Sequence, residues 1–160
     1  MDINDLNIDL LKAELCRRKF YYFIQEFWSE ADTSTPIWNW HIEYLANEIQ
    51  VEVEKMLKGQ EKDNDIIVNL PPGTSKSMII SVLLPAWLFA VDASKRIITA
   101  SYSSAISLEL SQKSRNLIQG EKYKRYFNVQ LKDDENTKTN YKTTKGGGRF
   151  VTSTNSNVLG

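Results

Sequence analysis

The run Leu70-Pro71-Pro72-Gly73-Thr74-Ser75-Lys76-Ser77 holds the densest chemistry in this chain of 160 residues. A loop that grips phosphate needs three things: a strand to deliver the backbone, a tight turn aiming successive N–H groups inward, and a helix N-terminus whose dipole favours an anion. A lysine then reaches the β- and γ-phosphates, and the hydroxyl beside it ligates Mg²⁺. Lys76 and Ser77 suit those two roles, with Gly73, Thr74 and Ser75 as the amide cradle. The pattern G-x-x-x-x-G-K-[ST] is half met, because it wants glycine where this chain has Leu70 and Ser75. If position 75 takes a positive φ, serine there costs about 1 kcal/mol or more. Lys113-Ser114, Lys138-Thr139 and Lys142-Thr143 repeat the final pair, but none follows a buried strand and a tight turn. Context selects Lys76-Ser77. The competing reading is an ordinary strand-to-helix turn whose Thr74 or Ser75 caps the helix.

Other chemistry is sparse. A single cysteine, Cys16, excludes an internal disulfide and a multi-cysteine zinc site. His41 is the one histidine, and no spacing pairs it with Cys16. Arg149 follows Gly146-Gly147-Gly148 at the start of a short strand, a position from which its guanidinium can be presented at an edge. Nucleotide hydrolysis needs one carboxylate to hold Mg²⁺ and another to orient water. Asp133-Asp134-Glu135 are poor substitutes: Phe127 to Lys132 alternates, as a half-exposed hairpin does, where a central strand would be continuously apolar.

The elements that must carry these residues read as follows. A helix runs from Asn7 to Trp28 and contains an aromatic cluster, Phe20 to Trp28, expected in the core. A second spans about Trp38 to Lys58, with Trp38, Ile42, Leu45, Ile49, Val53 and Met56 at three- and four-residue steps. Ile66 to Leu70 reads as a strand buried on both faces, and Lys76 to Val91 as a helix kinked by Pro85. Arg96 to Ser101 is a second buried-type strand and Ser104 to Gln119 a second helix, so parallel pairing is expected. Asp133 to Asn140 reads as a loop and Arg149 to Ser153 as a strand.

Composition narrows the class. The chain is 41% hydrophobic and 25% charged, which excludes wholesale disorder and collagen-like or disulfide-scaffold classes. No apolar run approaches the ~18 residues of a membrane span, and the N-terminus is acidic, so an intracellular chain without a membrane role is expected. The net charge of zero hides an asymmetry: residues 1–80 carry 8 Lys/Arg against 14 Asp/Glu, and residues 81–160 carry 12 against 6. The basic half suits a polyanion, or pairs with its own acidic half. The stretch from Lys113 to Arg149, with ten Lys/Arg and four Asp/Glu, is the place for DNA phosphates if any are bound.

Asn69 to Met78 resembles the divergent Walker A loop of tailed-phage terminase large subunits, the ATPases that package DNA into proheads. Trp40-His41-Ile42-Glu43 resembles their adenine-motif helix, with histidine where many members have glutamine. Leu84-Pro85-Ala86-Trp87 is similar to their post-Walker helix, and Ile98 to Ser103 followed by Ser114 to Ile118 to their second strand and helix. Asn136 to Asn140 and Gly146 to Ser153 resemble the block just before Walker B.

The resemblance implies an α/β P-loop NTPase of ASCE type: a parallel sheet with flanking helices, incomplete, preceded by two N-terminal helices. Residues 1–60 would form the helical region and residues 61–160 a partial ATPase core ending before Walker B. It further implies ATP and Mg²⁺, with Lys76 on phosphate, Ser77 on the metal, Gly73, Thr74 and Ser75 as cradle and His41 on the adenine side. Arg149 becomes a candidate arginine finger acting across a ring of identical subunits. The partners implied are double-stranded DNA, a portal protein and a terminase small subunit, in the cytoplasm of a bacterial host. The family's Walker B and nuclease residues would lie beyond Gly160, so little activity is expected of this chain alone. The alternatives are another P-loop nucleic-acid motor such as a helicase, or a non-catalytic remnant.

Overall fold

The computed structural model describes residues 3–153. The N-terminal helix is two: α1 (Ile3–Arg18) and α2 (Phe20–Ala31) part at Lys19, whose φ of −133° and ψ of 109° are extended. Breaking a helix orphans an N–H on one side and a carbonyl on the other. Gln50, buried on α3 (Trp40–Leu57), satisfies both: its Oε1 accepts from Phe20 N–H and its Nε2 donates to the Arg18 carbonyl, each at 2.8 Å. Asn39 starts α3 by accepting from Trp40 N–H, and Gly59, at φ 70°, lies just past its end.

The aromatic run is core, as its clustering suggested. Phe20, Phe23, Phe27 and Trp28 are buried, and Phe23 stacks on Phe27 at 4.7 Å. They meet Tyr123, Tyr126 and Phe127 of α7 (Glu121–Phe127), and the offset and edge-to-face pairs add to the gain from burial. Trp87 Nε1 donates to the Cys16 carbonyl at 2.9 Å, tying α1 to the centre. Burial pushes the Cys16 thiol up to about 12, leaving it unreactive. The N-terminal helices and the rest of the chain share one hydrophobic cluster.

The helical run after the loop is continuous: α4 (Lys76–Met78), a π-helical turn over Ile79–Leu83, and α5 (Leu84–Val91). Pro85 explains the π turn. Its ring would crowd the carbonyl four residues back in an α-helix. Leu84 N–H bonds Ile79 instead, five residues back, and the wider turn makes the room.

The sheet has four strands in the order β1-β4-β3-β2. β1 (Arg96–Ser101) pairs in parallel with β4 (Gly148–Ser153). β3 (Asn140–Thr143) is antiparallel to both β4 and β2 (Leu131–Asn136). α6 (Ser104–Gln119) packs on β1 and β4. The chain is thus α/β with a small mixed sheet.

Three expectations are corrected. Arg96 to Ser101 is a strand open on one face, with Ile98 74% exposed, rather than one buried on both. Asp133 to Asn136 is strand rather than loop, since β2 extends through it to pair with β3. Ile66 to Leu70 forms no strand and pairs with none among the described residues, and Ile67 is 91% exposed. An apolar run becomes a buried strand only beside another strand; here β1 pairs with β4 instead. Val68 and Leu70 still rest on the core. The parallel pair is therefore β1 with β4, not Ile66–Leu70 with β1.

The three glycines make a close approach possible. Gly146 has φ 86°, and a Cβ on Gly147 would lie 2.3 Å from the Ala93 carbonyl oxygen. The β3–β4 hairpin can therefore dock on the chain entering β1. No helix among the described residues is long and apolar enough to cross a membrane.

Candidate functional site

Between Leu70 and Lys76 the chain reverses through two left-handed residues, Gly73 at φ 81° and Ser75 at φ 63°. Position 75 thus takes the conformation that favours glycine, and the serine there carries the cost. Lys76 Nζ donates to the Leu70 carbonyl at 2.9 Å, closing the base of the loop. Thr74 Oγ1 donates to the Pro71 carbonyl at 2.8 Å within it. Ile79 N–H bonds the Ser75 carbonyl at 3.0 Å and starts the helical run. Neither hydroxyl caps the helix: Thr74 is turned to Pro71, and Ser75 makes no side-chain cap bond. Lys76 is half-buried and Ser77 exposed in the first turn.

His41 belongs to the same site. Its Nε2 lies 3.3 Å from the Thr74 carbonyl, which can only accept, so Nε2 carries the proton. It braces the loop from α3. A groove of about 430 Å³ continues from there between α3 and residues 64–70, walled by Trp40, Tyr44, Glu48 and Glu52. Trp40 and Tyr44 are exposed, with ring centroids 6.3 Å apart. Tyr44 escaped the sequence reading; its spacing of four from Trp40 on one helix face was the signal available.

Gly73, Thr74, Ser75, Lys76, Ser77 and His41 are thus brought together, and Arg149 is not. Arg149 is 1% exposed beneath α6, with its Nε on Thr99 Oγ1 at 3.2 Å. Its guanidinium is enclosed between sheet and helix rather than exposed, so its expected presentation at an edge is corrected.

The basic half spends much of its charge on the acidic half. Lys113 pairs with Asp32 at 3.1 Å, Lys122 with Glu26 at 3.1 Å and Arg125 with Asp9 at 2.7 Å. Other basic residues gather elsewhere: a groove of about 550 Å³ on the sheet face away from α6 is lined by Arg96, Lys132 and Lys142 beside Ile98 and Phe150. Among the described residues no cluster of three His, Cys, Asp or Glu could hold a metal ion.

No family model, curated protein or solved structure matches the chain.

Proposed function

We propose that this chain is the ATP-binding part of a DNA-packaging motor of the terminase large-subunit type, which couples ATP hydrolysis to movement of double-stranded DNA into a prohead. The observation that carries the reading is the loop: two left-handed residues, Gly73 and Ser75, and an ammonium folded across them at the head of a helical run. Lys76 would exchange the Leu70 carbonyl for phosphate oxygens, a stronger, charge-assisted acceptor. Ser77 would ligate Mg²⁺, and the amides of residues 73–75 would face the anion. The groove beside His41, with Trp40 and Tyr44 at its mouth, would take the base.

Hydrolysis needs carboxylates placed at the phosphates. Asp133 and Asp134 stand exposed on β2, at the opposite edge of the sheet from β1, and have no part in this reading. The 160-residue chain is therefore proposed to bind nucleotide and turn it over little. A portal protein, a terminase small subunit and a homo-oligomeric ring in the host cytoplasm belong to the same proposal, and DNA would lie along the Arg96–Lys142 face.

Titration of a non-hydrolysable ATP analogue with and without Mg²⁺ tests this. Wild type is expected to bind with Mg²⁺ dependence, and Lys76→Ala to lose at least about tenfold in affinity, the order of one charge-assisted contact. Equal affinity in the two proteins would overturn it.

A further inference from the structure

Arg149 is buried with four of its five N–H donors unused. Nε donates to Thr99, but Nη1 and Nη2 meet no acceptor among the described residues. A guanidinium keeps its charge at any pH a protein meets, so it cannot relieve its burial by losing a proton. An unpaired buried charge is among the costliest arrangements a fold can hold.

Its surroundings are polar in a particular way. Arg149 stands opposite Ile97 of β1 and Tyr141 of β3, on the sheet face that α6 covers. α6 turns Ser107, Ser111 and Ser114 inward, all buried. Tyr141 Oη donates to Ser114 Oγ at 3.3 Å, which fixes that end of α6 above the Arg149 row. Ser107, toward the other end, lines a groove with Val151 and Ser153. Ser111 lies between them on α6, a helical turn from each. Ser107 Oγ and Ser111 Oγ also have no partner among the described residues. Two guanidinium nitrogens on the sheet and two hydroxyls on the helix that covers it, all able to donate, are thus without a partner among the described residues.

We propose that Arg149 is the fixed cation of a buried carboxylate-binding site, with Ser111 and Ser107 as accessory donors. The planar fork of Nη1 and Nη2 matches a carboxylate two-on-two. The side chain runs from β4 across to Thr99 on β1, toward the edge of β1 that no described strand occupies. The carboxylate is therefore either a small free acid or an acidic side chain on an extended segment lying along that edge. The site is separate from the loop at Lys76, and its failure would leave the nucleotide reading untouched.

Thermal unfolding of the 160-residue chain in sodium acetate against sodium chloride of equal ionic strength tests the first source. At roughly tenfold excess over its Kd, acetate is expected to raise the wild-type Tm by roughly 2–4 °C more than chloride. Arg149→Met is expected to show no such difference and, having lost an unpaired charge, to melt no lower than wild type without acetate. Arg149→Lys, which keeps the charge without the fork, should show less than half the wild-type rise, and it carries the comparison should Arg149→Met fail to fold. For the second source, β-branched peptide pools with a fixed central Glu or Gln are compared by fluorescence anisotropy. A preference for Glu of about tenfold in wild type, lost in Arg149→Met, assigns the carboxylate to a protein strand. An acetate effect without that preference assigns it to a free acid. Neither response, or an acetate effect that Arg149→Met retains, overturns the site.

Discussion

The Lys76 ammonium lies 2.9 Å from the Leu70 carbonyl oxygen, so the charge proposed to hold phosphate is the charge that closes the loop. An ammonium has three donors, and one carbonyl uses one of them. On the proposed reading, an incoming phosphate would meet a loop already bent to shape, and binding would exchange a neutral acceptor for a charged one. His41 adds a second brace through the Thr74 carbonyl. The loop is preorganised from both ends.

Ser75 is where this preorganisation is strained. Its φ of 63° costs an L-residue what glycine does not suffer. Ser75→Gly is expected to raise stability by about 1 kcal/mol, which for a chain of this size is a Tm rise of roughly 2–4 °C. Differential scanning calorimetry reads it. An unchanged or lower Tm would mean that the wider freedom of glycine in the unfolded chain cancels the relief.

Most of the fold could be read from residue types, and the misreadings have physical causes. The helices over 40–57 and 104–119 carry apolar positions at helical spacing and were legible to within a few residues. The break at Lys19 was not, because the bonds that compensate it come from Gln50, thirty residues away in sequence and invisible to a local pattern. Ile66 to Leu70 has the composition of a buried strand, but pairing depends on a neighbour that composition does not name. At the candidate site, the positive φ at Ser75 followed from the motif. The burial of Arg149 did not, since the face of α6 that covers it is made of serines, which a search for apolar stripes passes over.

Gln50 is the hinge-pin of the N-terminal helices. Gln50→Leu would leave Phe20 N–H and the Arg18 carbonyl buried or half-buried without partners. At about 1–3 kcal/mol for each unsatisfied group, a loss of about 2–4 kcal/mol is expected. Chemical denaturation should show the midpoint falling with the slope unchanged. A shift under about 0.5 kcal/mol, the range of ordinary surface substitutions, would show that water satisfies both groups.

Asp32 gives the fold an acid limit. Its carboxylate accepts from the Ser34 N–H at 2.8 Å and pairs with Lys113 at 3.1 Å. Those bonds, the Ser34 amide foremost, lower its pKa from an ordinary 3.8 to about 2. Because the folded value is the lower one, the contribution is complete above about pH 4 and is lost as pH falls toward 2. Asp32→Asn should melt a few degrees below wild type at pH 7, on the order of 1 kcal/mol for a half-buried pair and its turn, and level with it near pH 2. A difference that persists at pH 2 would place the loss in packing rather than charge.

The central claim is that the loop closed by Lys76 takes a phosphate tail. Isothermal titration of ATP, ADP and AMP with Mg²⁺, against wild type and Lys76→Ala, tests it most directly. Affinity is expected to fall at each phosphate removed from the wild-type ligand, with the ATP-to-ADP step largely abolished in Lys76→Ala. AMP binding wild type as tightly as ATP, or the steps surviving intact without Lys76, would contradict the account.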